Sequence, residues 1–267
     1  MPAPEAIDLS RAPLLSHLLE LRRRLLQCLG VFTLVFVVCY MQAETVYQFL
    51  LQPLADAFGS TSGRRMIYTG LHEAFVTYLK LSLFSALFLT FPFLLIQVWR
   101  FMAPGLYQHE RHATSLLFAA TPVLFIAGAA LAYYFVFPLA WGFFISFESA
   151  ATENTLPVEL EARVGEYLGL VMQLMLAFGV CFELPVILIL LAYMRVVSST
   201  QLISGRRYAL LGIFTVAAVV TPPDLISQIA LGTPIWILYE ISILLIKIIE
   251  RKNPTTFANA SKKNHFI

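Results

Sequence analysis

ATSLLFAATPVLFIAGAALAYYFVFPLAWGFFISF, residues 113–147, runs for 35 residues without a single charge. As one straight helix it would be about 52 Å long at 1.5 Å per residue. About 20 such residues cross the roughly 30 Å hydrocarbon core of a bilayer. This stretch therefore reads as a membrane span with length to spare. It must tilt, bend or protrude, and Pro122 and Pro138 mark places where a helix bends or stops.

Similar runs lie on both sides. Leu25 to Met41 and Leu81 to Trp99 are uncharged, Tyr167 to Met194 is interrupted only by Glu183, and Ile229 to Ile246 only by Glu240. Tyr208 to Pro223 is uncharged but short, at about 14 helical residues or roughly 21 Å. The pattern predicts an all-α membrane protein with six transmembrane helices in a single integral domain over 1–267. Composition agrees: 59% of residues are hydrophobic and 13% charged, with a mean hydropathy of +0.77. Soluble domains carry about 25% charged residues. A disordered chain, a disulfide scaffold and a typical soluble enzyme are all excluded. Prolines, acids and then arginines precede the first long apolar run, and no small-residue cleavage site follows it. No removable leader is expected.

Charge placement sets the expected orientation. Six spans put both termini on one side. That side collects 14 basic residues, among them Arg22, Arg23, Arg24, Arg100, Arg111, Arg206 and Lys252, against Arg64, Arg65 and Arg163 on the other. The excess of Lys and Arg in cytoplasmic segments then predicts both termini inside. Residues 42–72, with Gln52-Pro53-Leu54 amid apolar neighbours, are expected to form a short ordered cap on the outer side. Spans five and six are joined only by Pro222-Pro223-Asp224. A hairpin this short requires the membrane to thin around it, or partners to cover it. The segment 253–267 is polar and is expected to be a flexible cytoplasmic tail.

Four groups of residues carry chemistry. Leu14, Leu18, Leu21 and Leu25 form one helical stripe, so the segment ahead of span one is expected to lie along the inner interface before turning into the membrane. Glu20 stands opposite that stripe among arginines; a solvated pair with Arg24 and a binding role are both open. Glu110 is the one acid of the inner loop after Pro104-Gly105, and helix capping is its plain alternative role. Glu183 lies within a span, where ionisable groups are costly and face a bundle interior or cavity; Gln173 lies ten residues earlier, near the same helical face. Lys80 at the edge of span two is expected to snorkel outward. Cys28, Cys39 and Cys181 lie apart in apolar runs. No nucleotide loop, nucleophile elbow, paired-histidine spacing or CxxC is present, so neither catalytic nor metal residues are assigned.

Several separate motifs, in order, resemble the TatC family, the polytopic core of the twin-arginine protein translocase. They are HLLELRRRL at 17–25, PFLLIQVWRFMAPGLYQHER at 92–111, AYYFVFPLAWGF at 132–143, AFGVCFELPV at 177–186 and TPPDLISQ at 221–228. The resemblance spans about 14–252. It implies a multi-pass inner-membrane receptor, not an enzyme, that binds Arg-Arg signal peptides of folded proteins. It further implies that Glu20 and Glu110 recognise the two arginines and that Leu21, Arg22, Phe101 and Pro104 shape the site. TatA- and TatB-type single-span partners would pack near Thr221, Asp224, Gln228 and Glu240, with Glu183 as a membrane-buried polar contact. Pro53, Lys80 and Tyr133 match family positions in the outer half, for structure or assembly. A homo-oligomer within a larger complex, driven by the proton-motive force and surrounded by lipid, with no cofactor and no nucleic acid, completes the implication. Read without the resemblance, the residues leave two alternatives open: a proton-coupled solute transporter using Glu183, and a membrane scaffold.

Overall fold

The computed structural model describes residues 11–59, 64–102, 111–149, 159–221 and 225–252. Within them lie helices α1 (Arg11–Met41), α2 (Ala43–Phe58), α3 (Glu73–Met102), α4 (Arg111–Leu131), α5 (Phe137–Ile145), α6 (Val164–Cys181), α7 (Leu184–Tyr193), α8 (Ser199–Ser204), α9 (Arg206–Val220) and α10 (Leu225–Lys252). A π-helical turn, Ala132–Val136, joins α4 to α5. An isolated β-bridge joins Ile67 to Arg163.

Among the described residues, five helical stretches are long and apolar enough to cross a membrane: His17–Met41, Glu73–Phe101, Ala119–Ile145, Val164–Tyr193 and Ser227–Arg251. The remaining expected span is α9, whose 15 residues reach only about 22 Å. Residues 113–145 are helical, and a π turn at Ala132–Val136 loosens the backbone ladder just ahead of Pro138. The expected turn ahead of span one does not occur. α1 is a single 31-residue helix from Arg11 to Met41. Leu18 to Leu26 is built almost wholly of strong helix formers, and no proline follows Pro13 in the first turn, so the helix propagates straight through.

The core lies where α4 to α7 meet α10. Phe125, Phe137, Leu168, Leu174, Phe178, Leu231 and Ile243 are fully buried there. Two glycines let α4 and α6 approach closely: a Cβ on Gly128 would stand 2.5 Å from the Phe178 carbonyl oxygen, and one on Gly179 would stand 2.6 Å from the Phe125 ring. Small residues at such crossings substitute backbone packing for the hydrophobic drive that lipid cannot supply. α7 ends with Arg195 in the left-handed region (φ 59°); the Val196 and Arg195 N–H groups close onto the Leu191 and Ala192 carbonyls. The chain then reverses into α8.

α2 forms the expected cap, and two tyrosines tie it to the bundle. Pro53 lies inside α2 and has no N–H, so it cannot donate to the Phe49 carbonyl four residues back. The Tyr133 hydroxyl donates to that carbonyl instead, at 2.8 Å, and the Tyr167 hydroxyl donates to Leu50 O at 2.7 Å. The Tyr133 ring stacks on Phe49 at 4.5 Å. Pro53 and Tyr133, far apart in sequence, thus belong to one joint. At the same end Arg64 pairs with Glu148, with Nη2 to Oε2 at 2.8 Å. That guanidinium and the Leu160 N–H hold the Glu148 carboxyl down at about 2, and the carboxylate in turn raises the Arg64 value.

The α9–α10 hairpin stops short of the cap. Gln173, in the middle of α6, donates to the Val220 carbonyl at the end of α9 at 3.0 Å. Gln173 lies nine residues beyond Val164, so the end of α9 at Val220 sits about 13 Å inside the capped end of α6. The end of α9 is therefore recessed within the bundle's own length.

Candidate functional site

The end of the bundle opposite the cap carries one linked group of polar residues. On α1, Glu20 and Arg24 are one turn apart. Arg24 donates from Nε (3.0 Å) and Nη2 (2.6 Å), both to Glu20 Oε1. Its Nη1 donates to Gln97 Oε1 on α3 at 2.9 Å. Gln97 is buried and the Glu20 side chain is 37% exposed. Among the described residues nothing donates to Glu20 Oε2. The solvated-pair reading of Glu20 is thus present in the geometry, but the pair is anchored across to a second helix and half of the carboxylate stays open. His17 stacks on Phe101 at 4.0 Å, which brings the end of α3 beside the same face of α1.

Not all the expected residues share this face. Arg22 is two residues from Glu20, some 200° around the helix. It lines a shallow groove of about 400 Å³ with Leu19, Arg23, Leu26 and Gln27. Leu21 is exposed. Pro104, Glu110 and Asp224 lie outside the described residues.

A second polar group lies along α9 and α10. Arg206 Nη2 donates to Glu240 Oε2 at 2.7 Å. Glu240 is the sixteenth of 28 residues in α10, about 23 Å from its start, so it is a mid-helix acid and not a terminal one. Gln228 donates to the Phe214 carbonyl at 3.2 Å, and the buried Thr221 hydroxyl to Ala217 O at 2.9 Å. Deeper in the charged end, Glu250 accepts from the Ser199 N–H at 2.9 Å and from its hydroxyl. Each of these side chains is satisfied within the chain.

Glu183 occupies the break between α6 and α7, where Pro185 interrupts the ladder. Its side chain is 1% exposed. The buried Thr121 hydroxyl on α4 is the polar group that faces it, yet neither carboxylate oxygen closes a full hydrogen bond. Gln173 does not share its surroundings: it is exposed and serves Val220, because the break at 182–183 takes Glu183 off the α6 register. Lys80 is exposed in a cavity of about 520 Å³ between α3 and α6 that also takes in Glu73, Thr77 and Glu166. Among the described residues no cluster of three or more His, Cys, Asp or Glu has the arrangement to hold a metal ion.

Sequence reasoning missed Gln97 and Arg206. Gln97 is an amide inside an uncharged run, a signal too weak to mark it before α3 packs on α1, and Arg206 lies 34 residues from the acid it pairs with.

Comparison with known proteins places this arrangement. A family model described as TatC, Sec-independent protein translocase protein, matches residues 16–234. The chain is 48% identical over 242 residues to the Sec-independent protein translocase protein TatC of Magnetococcus marinus, covering 91% of this chain and 86% of that one. The corresponding protein of Rickettsia prowazekii is 43% identical over 234 residues, covering 88% and 92%. Among solved structures, a crystal structure of the twin-arginine translocase receptor TatC superposes with a TM-score of 0.73 at 33% identity, over 86% of this chain and 99% of that one.

Proposed function

This chain belongs to the TatC family of Sec-independent protein translocase proteins, a transport component and not an enzyme, and from that premise we propose that its charged end is the receptor for the paired arginines of signal peptides on folded proteins. Glu20 takes one guanidinium and Glu110 the other, with Phe101 and His17 walling the site and Pro104 shaping the loop. Leu21 and Arg22, on other faces of α1, contact flanking parts of the peptide or lipid. Glu20 and Glu110 act from the cytoplasmic face of the inner membrane, with both termini on that side, α9 as the short fifth of six passes, and 253–267 as a flexible tail.

One observation carries this reading. Glu20 already binds a guanidinium, that of Arg24, through two N–H donors. The carboxylate therefore sits in surroundings that suit charge-assisted pairing with arginine, whose planar fork lysine cannot reproduce. The hairpin supports the partner half of the proposal. The recessed end of α9 leaves lipid poorly matched, and single-span TatA- and TatB-type helices cover the hairpin near Thr221, Asp224, Gln228 and Glu240. Glu183 is enclosed by α4, α6 and α7, so its contact with a partner helix requires that seam to open. Lys80 and the Pro53–Tyr133 joint support assembly from the outer half. Several copies act together with these partners under the proton-motive force, because one bundle has no room for a folded cargo.

The test is binding of a labelled Arg-Arg signal peptide to the full chain in nanodiscs. Glu20→Ala and Glu110→Ala each abolish binding while the protein still inserts, and wild-type binding weakens from 50 to 500 mM salt as screening sets in over about 8–10 Å. Undiminished binding in both variants contradicts the proposal.

A further inference from the structure

Glu20 is not vacant in the unliganded chain. Arg24 spends two N–H donors on one carboxylate oxygen and its remaining terminal nitrogen on Gln97. The ligand expected at Glu20 is also a guanidinium. An incoming arginine that takes the carboxylate in a two-oxygen fork needs Oε1, which Arg24 holds. We propose that Arg24 is a place-holder, an internal guanidinium that occupies the receptor carboxylate at rest and is displaced by the first arginine to bind there. This rests on the reading of Glu20 as a receptor group and adds its regulation.

The surroundings fit an exchange. The Arg24 side chain is 21% exposed and that of Glu20 37%, so the contact lies at the rim and opens without unpacking the core. Gln97, buried on α3, offers a carbonyl that keeps one end of the displaced guanidinium. Net charge at the carboxylate is unchanged, since one guanidinium replaces another. The place-holder keeps the acid from attracting lone lysines and free cations, and only a ligand bringing further contacts recovers what displacement costs. A competitor present at rest lowers the affinity of every ligand by the same factor. Its signature is therefore tighter binding when it is weakened. A residue that merely positions Glu20 gives the opposite sign.

The experiment measures the affinity of a fluorescein-labelled Arg-Arg signal peptide for the full chain in phospholipid nanodiscs. Arg24→Lys keeps the charge but removes the fork, and tightens binding about twofold to threefold. Arg24→Gln removes the competitor and tightens it about fivefold, the scale of one partly exposed ion pair. Arg23→Gln, on the α1 groove, removes the same charge without touching Glu20 and shifts binding less than twofold. Weaker binding in Arg24→Lys makes Arg24 a positioning residue and overturns the proposal. Equal tightening in Arg23→Gln and Arg24→Gln reduces it to a general charge effect and also overturns it. Glu20→Gln separates the levels: if it binds peptide normally, the receptor reading fails, whereas lost binding there with no tightening in either Arg24 variant fails the place-holder alone.

Discussion

Replacing Tyr133 by Phe removes one hydroxyl and nothing else from the joint that fastens the cap. The ring stack on Phe49, at 4.5 Å with planes 2° apart, survives. The Phe49 carbonyl loses its donor, and Pro53 has no N–H to replace it. A carbonyl left unsatisfied in this way costs about 1–3 kcal/mol. The contact is partly buried, so the lower end of that range applies, about 1 kcal/mol. For a chain of this size that is a fall of about 2–4 °C in melting temperature, read by following tertiary unfolding in detergent. Pro53→Ala supplies the missing helical N–H and makes the hydroxyl redundant. In a double-mutant cycle Tyr133→Phe should then cost close to nothing in the Pro53→Ala background, a coupling of about 1 kcal/mol. A cycle that closes to zero, with Tyr133→Phe equally harmful in both backgrounds, would refute the idea that the proline and the tyrosine form one joint.

Other consequences follow from the same geometry. Glu148 is held at about 2 against an ordinary 4.5, so its pairing with Arg64 contributes fully above about pH 4.5 and is lost as pH falls toward 2; amide exchange at Ile67 and Val164 should rise over that window and lose the dependence in Glu148→Gln. Gly128→Ala places a methyl 2.5 Å from the Phe178 carbonyl, and should lower stability by about 1–3 kcal/mol as α4 and α6 are forced apart, measured by thermal unfolding. Arg206→Gln leaves Glu240 without its partner halfway along α10, so it should destabilise more than the double variant Arg206→Gln/Glu240→Gln, a comparison that the same melts provide.

Much of the fold was legible in the sequence because lipid reduces the choices to one. Apolar runs of sufficient length must be helices, and charges must cluster at their ends. The ordered cap within 42–72, the surplus length in 113–147 and the shortness of the run at 208–223 all follow from run length and proline position. The continuity of α1 did not, because a leucine stripe reads alike on an interfacial helix and on one that simply continues into the membrane. The candidate site was legible in part. Glu20 and Phe101 are brought to one place, whereas Arg22, adjacent in the motif, lies on another face of α1. Gln97 became visible only once α3 was packed on α1, and the Tyr133–Phe49 contact only once a π turn had aimed the ring. Both are tertiary facts between elements tens of residues apart, and local periodicity holds no record of them.

The central claim is that two carboxylates at one end of the bundle receive a pair of guanidiniums. Its most direct test is site-specific photocrosslinking from positions 20 and 110 of the membrane-inserted chain to a signal peptide labelled next to its Arg-Arg pair. The account predicts adducts from both positions, lost together when the peptide carries Gln-Gln in place of Arg-Arg. Adducts from neither position, or equal adducts with the Gln-Gln peptide, would contradict it.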